Sequence, residues 1–580
     1  MARSDELQDA LDIPVPDDPS LVLDGCRRLL GPNLYGPSPG AVGDALIAGH
    51  VPRQVLHAWT GLARRMLAAL GWHEAEVRGR TFAGGANLYV PAEVDQLFTA
   101  AYLIEAAWAI TAHDLLGLAA MPVKPMEEQL RRIAAAEANP PLRDLVATAA
   151  RKGIDRLLDD DAVTLGHGCG AVTWDSSALP DAPDWTHIHD IPLALVTGTN
   201  GKTTTTRLIA AMGQAAGRVA GLSSTEFVRV GDEILDRGDY SGPAGARLLL
   251  RDPRLELAVL EVARGGILRR GLPVTRAQAA VVTNVAADHL GQYGIMTVAE
   301  LAEVKLSVHR ALMPGGLLIL NADDPAVVRA STHLAVPIAW FSLSPDTAQI
   351  AAARDQGAAC GWFENGRIVL SDGRNITDLI GVAEVPLTLG GAARYNIENA
   401  LGAALAARAL GLPDAPIRAA LSRFRSDPTD NPGRANEFSV KGARVFVDFA
   451  HNPHSIAAVT SALAALPAMR RFVLLTHAGD RSDADIKALV EGAFALRPDY
   501  IVAAENPKYL RGRQPGEVPG LIRAASLAAG LPADRVLMAA SPADGAAQII
   551  AMLQPGDLVL LLAHDERARI FEMLEAAAGD

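Results

Sequence analysis

Cysteine is nearly missing from this chain: 580 residues contain three, Cys26, Cys169 and Cys360. They are widely spaced and form no CxxC pair, which excludes a disulfide framework and a thiolate metal site and fits the reduced cytoplasm. Long apolar runs are missing too. The longest one near the end, Leu558–Ala563, is strand-sized, so no membrane span is expected. Clustered positive charge is absent beyond short pairs such as Arg269–Arg270, and the net charge is −13. Nucleic acid is therefore not an expected partner. The opening residues, MARSDELQDALDIPVPDD, are acidic and lack the apolar segment of a secretory signal. What remains is ordinary globular composition, 49% hydrophobic and 21% charged, in a chain long enough for three or four domains.

Residues 1–185 read as a mainly helical region, with apolar side chains at helical spacing from Val55 to Leu70 and again from Val94 to Trp108. A loop or hairpin is expected between them around Gly84–Gly85. The stretch LPDAPD (Leu179–Asp184) has linker composition. From 190 to 430 strands alternate with helices: apolar runs at Pro192–Val196, Leu257–Leu260, Ala279–Val282 and Leu317–Leu320, helical patterns at 203–216 and 297–312. That alternation predicts a parallel, doubly wound α/β sheet with ligands at the carboxyl ends of its strands. After RSDPTDNPGR (Arg425–Arg434) a second, smaller α/β block fills 431–580, with strands near Val445, Phe472, Tyr500 and Leu558.

The stretch LALVTGTNGKTTTTRLIA (Leu193–Ala210) carries the clearest chemistry. An apolar strand runs into a glycine turn and then a helix start, which aims backbone N–H groups at phosphates. Gly198 and Gly201 let the backbone come close. Lys202 can neutralise terminal phosphates, and the hydroxyl of Thr203 or Thr204 can reach Mg²⁺. A strict eight-residue phosphate loop would have glycine at 196, where this chain has Val196, so the loop is a variant. Glu261 ends the apolar run of LELAVLEVARGG, and His289 follows that of AAVVTNVAADHL. Both fall on the sheet edge of the phosphate loop, where a carboxylate and an imidazole can ligate a metal. A strand-end Glu or His taken alone is more often a surface or capping residue. Lys305 shares a helix face with Leu301, Val304, Val308 and Leu312, the side expected to be buried. A desolvated amine there favours its reactive neutral form; the alternative is a packed stem with the ammonium reaching water.

VTGTNGKTTTT, the Glu261 strand, TNVAADHL and Lys305 resemble the central domain of the Mur ligase superfamily of ATP-dependent amide ligases. NADDP (Asn321–Pro325), YNIEN (Tyr395–Asn399), NPGR (Asn431–Arg434) and VDFAHNP (Val447–Pro453) continue in the family's order. GDYSGP (238–243), LRDP (250–253), LEVARGGILRRGL (260–272), GDRSDADI (479–486) and LRGRQPGE (510–517) are most similar to the Mur-like half of cyanophycin synthetases. The resemblance spans about residues 190–580.

It implies a P-loop ATPase domain followed by a Rossmann-like C-terminal domain that closes over the nucleotide. Gly198, Thr199, Asn200, Gly201, Lys202, Thr203 and Thr204 would hold the ATP phosphates. Thr203, Glu261 and His289 would surround Mg²⁺. Lys305 stands where many relatives carry a carbamylated lysine that bridges a second Mg²⁺. Asn396 and Asn399 would lie near adenine, Arg434 near the phosphates and Asp448 near the ribose. His451 shares that last loop, in a structural or a catalytic role. Arg264, Asp480, Arg481, Arg511 and Arg513 are the candidates for substrate contact. The implied catalytic set is Lys202, Glu261, His289, Lys305 and Arg434. A carboxylate attacks the γ-phosphate of ATP, an acyl phosphate forms, and an amine displaces phosphate to give an amide. The small-molecule partners would be an amino acid or dipeptides such as β-aspartyl-arginine, with a peptide polymer as acceptor or product. A cytoplasmic homo-oligomer is expected by analogy.

Complete cyanophycin synthetases carry an ATP-grasp module ahead of the Mur-like half. About 190 residues precede the phosphate loop here, too few for that module and an N-terminal domain, so one ATP site and one kind of amide bond are expected. Residues 1–185 are candidates for acceptor binding. The alternatives are a peptidoglycan- or folylpolyglutamate-type ligase, a scaffold that binds nucleotide without catalysis, and a nucleotide kinase, against which the missing Arg-rich lid speaks.

Overall fold

The computed structural model describes residues 13–578, so the acidic opening residues 1–12, where no signal was read, lie outside the described residues. The chain separates into two compact units. The first gathers the residues up to Val285 together with His289–Trp340 and Gly402–Pro413; the second gathers Ala286–Asp288, Phe341–Leu401 and the chain from Asp414 onward.

The first unit starts with an antiparallel sheet of β1 (Leu21–Leu29), β2 (Gly40–Ile47), β3 (Arg78–Phe82) and β4 (Gly85–Pro91), in the order β1-β2-β4-β3. The expected hairpin is β3–β4, turned at Gly84 with φ 82°, where glycine avoids the cost of a left-handed backbone. The expected helices are α1 (Pro52–Leu70) and α2 (Leu97–Leu115), followed by α3 (Val123–Glu137) and α4 (Pro140–Arg151). Helix α2 is apolar nearly all round, and its buried residues pack with Trp59, Met66 and Leu88 in one core. Helical residues outnumber strand residues here, but the sheet is an addition. Its strands carry Arg, Gly and Asp, so alternation is weak and the helical stripes dominate the pattern. A small antiparallel sheet, β5 (Arg156–Leu158), β6 (Ala162–Leu165) and β7 (Val172–Asp175), precedes the linker-like stretch.

The alternating block follows: β8 (Leu193–Thr197), α5 (Lys202–Ala215), β9 (Ala220–Ser223), β10 (Phe227–Val230), β11 (Glu233–Arg237), α6 (Pro243–Leu250), β12 (Leu257–Glu261), α7 (Arg264–Arg270), β13 (Ala277–Val282), α8 (Val298–Leu306), β14 (Leu312–Asn321) and α9 (Pro325–Ser331). The strands run β11-β10-β9-β12-β8-β13-β14, parallel from β9 to β14, with an antiparallel ribbon at the β10–β11 edge. Strand β8 is entirely buried between β12 and β13, so the turns after these three strands open at one sheet edge.

Past β15 (Ile338–Ser342) and α10 (Ala348–Asp355), the second unit has an antiparallel meander of β16 (Cys360–Glu364), β17 (Arg367–Ser371) and β18 (Ile376–Gly381). A six-stranded sheet contains β19 (Asn436–Val440), β20 (Ala443–Asp448), β21 (Arg471–Leu475), β22 (Tyr500–Ala504), β23 (Val536–Ala539) and β24 (Leu558–Leu562) in the order β19-β20-β24-β21-β22-β23. All its pairs are parallel except the β19–β20 hairpin, which makes it the expected Rossmann-like sheet. Among the described residues no helix is long and apolar enough to cross a membrane.

Trp59 is fully buried, and its indole N–H donates to the Ile104 carbonyl. Trp59→Ala should destabilise the first unit by about 3–5 kcal/mol, read as a shift in the urea midpoint at constant slope.

Candidate active site

The turn between β8 and α5 is held from the neighbouring strand. Gly198 has φ 148°, and a Cβ on it would stand 1.9 Å from Thr283 Oγ1. The Thr199 N–H donates to the Asn284 carbonyl at 2.8 Å and the Asn200 N–H to Asn284 Oδ1 at 2.9 Å. Thr283 Oγ1 donates back to the Asn200 carbonyl at 2.6 Å. Gly201, with φ 84°, ends the turn and caps α5. The turn that sequence assigned to Gly198–Gly201 is thus shaped by Thr283 and Asn284, two residues of the quoted TNVAADHL motif whose role went unread. Asp324 supports them in turn: its carboxylate accepts from Val285 N–H at 2.6 Å and caps α9.

Two ammonium groups converge on this turn. Lys202 Nζ donates to the carbonyls of Gly198 (3.1 Å) and Thr199 (2.9 Å). Lys305, 4% exposed on α8, donates to the same Gly198 carbonyl at 2.7 Å. Of the two readings that periodicity allowed for Lys305, the amine reaching water is the one the structure rules out.

The hydroxyl of Thr203, at the start of α5, donates to Glu261 Oε2 at 3.0 Å. Glu261 ends β12 and is buried, and Thr225 N–H also approaches its Oε2 at 3.4 Å. A hydroxyl and a carboxylate are hard oxygen donors of the kind Mg²⁺ takes alongside water and phosphate oxygens. Among the described residues no three His, Cys, Asp or Glu side chains are grouped to hold a metal. The site therefore fits a cation shared with phosphate, and not an all-protein cage. His289 lies in the loop after β13, exposed, with φ 51°. Arg264 opens α7 and is buried, donating to Gln292 Oε1 at 2.6 Å.

The second unit brings together most of its own candidates. Asp448 ends β20 and accepts from Ala435 N–H and Ala450 N–H, each at 2.7 Å. Burial pushes its carboxyl above the ordinary range, against the pull of Arg434. Arg434 lies over the Phe449 ring, 5.1 Å from its centre. Asn396 donates to the Leu387 carbonyl at 2.9 Å and accepts from Asn399 at 3.0 Å, both amides buried on the helix α11 (Arg394–Ala409). Arg511 pairs with Asp480 at 2.5 Å. Arg513 binds the carbonyls of Gly479 and Arg481 and the carboxylates of Asp483 and Glu517, which makes it the brace of the GDRSDADI loop. Arg481 and His451 both approach Asp288, at 3.6 and 3.9 Å.

His451 has company that the sequence did not disclose. His477 follows β21 and His564 follows β24, and each of these two rings lies 6.2 Å from its neighbour in the series His451–His564–His477. The signal was there in LLTHAGD and LLAHDE, a histidine just past a buried strand. Burial holds His477 down to about 4 and His564 down to about 3. His564 Nε2 donates to the Ala450 carbonyl at 2.9 Å, and His477 Nδ1 accepts from Ala478 N–H.

A strand, a glycine turn and a helix start, with a buried carboxylate at the end of the adjacent strand, define the phosphate-loop class of α/β domain. The family is narrower. Residues 196–407 match the Mur ligase middle domain, and residues 433–564 match the glutamate ligase domain of Mur ligases. The chain belongs to the Mur ligase family. It is 40% identical over 332 residues to the cyanophycin synthetase of Trichormus variabilis, a match covering 57% of this chain and 37% of that one. It is 26% identical over 349 residues to the UDP-N-acetylmuramoyl-L-alanyl-D-glutamate–2,6-diaminopimelate ligase of Bacillus velezensis, covering 57% of this chain and 66% of the relative. Among solved structures, the folylpolyglutamate synthase of Mycobacterium tuberculosis complexed with ADP is similar at 18% identity and TM-score 0.49, over 66% of this chain and 90% of that one. The chain spans about two fifths of the length of the cyanophycin synthetases it matches.

The buried imidazoles set a pH dependence. Their folded-state pKa values lie below the unfolded value of about 6.5, so the stability they contribute is present above that pH. It is lost as pH falls toward 4 and then 3. Each should cost about 1.4 kcal/mol per pH unit below pH 6. His564→Gln should flatten the decline between pH 6 and 4.5 in urea titrations, and an unchanged slope would contradict the assignment.

Proposed function

We propose that this protein is an ATP-dependent carboxylate–amine ligase of the cyanophycin synthetase type, acting through an acyl phosphate. The observation that carries the reading is the buried Thr203–Glu261 pair, 3.0 Å apart, beside a phosphate turn on which Lys202 and Lys305 converge. The 40% identity to a cyanophycin synthetase supports the substrate class, as do the GDYSGP, ARGGILRRGL and RGRQPGE segments.

In this reading the backbone of Gly198–Gly201 with Thr204 cradles the ATP phosphates, and Lys202 leaves its carbonyls to meet the terminal ones. Thr203, Glu261 and His289 would hold Mg²⁺, which would screen the charge of the transferring phosphoryl group. A substrate carboxylate attacks the γ-phosphorus and the bond to ADP breaks. The amine of the incoming amino acid or dipeptide then attacks the acyl carbon, loses a proton and expels phosphate. Lys305 keeps the turn in place from behind, and a carbamylated Lys305 would present a carboxylate at the same point. Arg434, Asp448, Asn396 and Asn399 serve the nucleotide from the second unit, and Arg264, Asp480, Arg481 and Arg511 serve the substrates. Domain limits of 1–185, 190–430 and 431–580 follow from the same reading, as do a cytoplasmic location and self-association into an oligomer.

ADP release should require a carboxylate acceptor and an amine together. Lys202→Ala should lower that turnover by about a thousandfold or more with the thermal melt unchanged. Product formed by this variant at the wild-type rate, or ATP consumed equally without any amine, would overturn the reading.

A further inference from the structure

The loop after His289 is held in a conformation that its tyrosine does not favour. Gly291, Tyr293 and Gly294 all lie at positive φ, at 91°, 56° and 70°. For a tyrosine the left-handed region is sterically costly, so neighbouring contacts must keep it there. Some come from the loop itself: Gly291 N–H donates to the Ile295 carbonyl at 2.8 Å, and Ile295 N–H to the Gln292 carbonyl at 3.1 Å. Others come from the N-terminal sheet. Asn87, fully buried on β4, donates to the Tyr293 carbonyl at 3.4 Å, and Arg80, on β3, donates to the Gly294 carbonyl at 2.6 Å.

This conformation places one aromatic ring between the sheet and α7. Tyr293 packs on the apolar core of the first unit, with the Arg27 guanidinium 4.8 Å from its ring centre and that of Arg264 6.0 Å from it. Arg27, on β1, is fixed from behind. Asp44 of β2 takes its guanidinium through two parallel hydrogen bonds of 2.6 and 3.0 Å, and Asn87 donates to the same carboxylate at 2.8 Å. A guanidinium matched by its own buried carboxylate can lie against an aromatic ring instead of seeking another anion. Arg27 Nε also donates to the Leu268 carbonyl at 3.3 Å, within α7, the helix that Arg264 opens. Leu30 N–H, just past β1, holds the Arg270 carbonyl at the end of that helix at 2.9 Å. Arg264 itself is buried, and Gln292, the residue before Tyr293, accepts from its Nη2 at 2.6 Å. One chain of contacts thus runs from Asp44 through Arg27 and Tyr293 to Arg264.

We propose that Arg27 and Tyr293 are positioning residues for Arg264, which makes the N-terminal sheet a working part of the ligase centre and not a separate module. Arg264 follows Glu261 by three residues, so the pose of its guanidinium sets where a substrate carboxylate settles. The face of the Tyr293 ring attracts both guanidinium groups, an attraction that an aliphatic side chain of similar size lacks. The task of Arg264 rests on the ligase reading, whereas the holding of Arg264 rests on these contacts alone.

The test uses the full chain with ATP and β-aspartyl-arginine, a dipeptide that offers both a carboxylate and an amine. Tyr293→Leu keeps a large apolar side chain and removes the ring. It should raise the dipeptide KM by about tenfold or more with the ATP KM changed less than about twofold, and Tyr293→Phe should restore the wild-type value. Arg27→Gln joined to Asp44→Asn removes the guanidinium without leaving a buried charge unmatched, and should act like Tyr293→Leu. Because both residues act through Arg264, neither change should add more than about twofold to the KM of Arg264→Ala. Amide hydrogen exchange in residues 264–270 and 291–297, read without substrate, should quicken by about tenfold or more in Tyr293→Leu and in the Arg27→Gln, Asp44→Asn double variant, and stay at the wild-type rate in Tyr293→Phe. Wild-type dipeptide KM in both variants, a loss that Tyr293→Phe does not restore, or a full further loss on top of Arg264→Ala would overturn the proposal. If wild type turns over no ATP with the dipeptide, the exchange rates decide. Unchanged rates would then overturn the holding of Arg264, and faster rates would keep it while sinking the ligase reading with this substrate.

Discussion

The carbonyl of Gly198 is the point on which the first unit's chemistry turns. Lys202 and Lys305 both donate to it, from helices more than ninety residues apart in sequence. Its position allows no side chain, because Thr283 occupies the space a Cβ would need. Two positive charges brought this close to one dipole repel each other and lose hydration. They are tolerated where an anion belongs, which is why a phosphate-binding turn accounts for the arrangement better than a structural βα connection does. The backbone clamp from Thr283 and Asn284 keeps the N–H groups aimed in advance, so no reordering is needed when charge arrives.

The second unit works by a different economy of charge. Asp448 is buried with both oxygens engaged by backbone N–H groups, and its nearby guanidinium, Arg434, is spread over an aromatic face. A carboxylate so held accepts hydrogen bonds in a fixed direction, which suits recognition of hydroxyl groups better than proton transfer. His477 and His564, just past the neighbouring strand ends, are held toward the neutral form by burial. They contribute polar edges without net charge, next to the Arg481–Asp288 pair.

Much of this was readable in advance where one residue type leaves one physical choice. Gly198 and Gly201 mark the turn, Lys202 and Thr203 the helix start, and Glu261 the end of a buried strand, because β8 and β12 are fully buried apolar strands with abrupt polar ends. Lys305 was ambiguous for a physical reason: periodicity gives the direction of a side chain but not what meets its tip. Thr283, Asn284 and Asp324 were missed because their work is done through hydrogen bonds to backbone, and any loop is rich in such residues. The N-terminal sheet escaped notice because β1 and β3 carry arginines on partly exposed faces, which hides the period of two. Two of those arginines, Arg27 and Arg80, reach the alternating block, at the Leu268 carbonyl and at Glu300.

Arg80, on the β3–β4 hairpin, shows what that meeting entails. It grips Glu300 at 2.7 Å and the Gly294 carbonyl at 2.6 Å, and Phe82 fills the space above Gly294. Glu300 is also the carboxylate that caps α8, the helix carrying Lys305. Shortening the polypeptide to residues 196–564 would cut this tether, leaving Glu300 with only its capping contacts to Met296 and Thr297 and Gly294 without the Phe82 ring above it. Evolutionary exchange of the leading region between relatives would face the same demand, since any replacement must supply its own hand for Glu300.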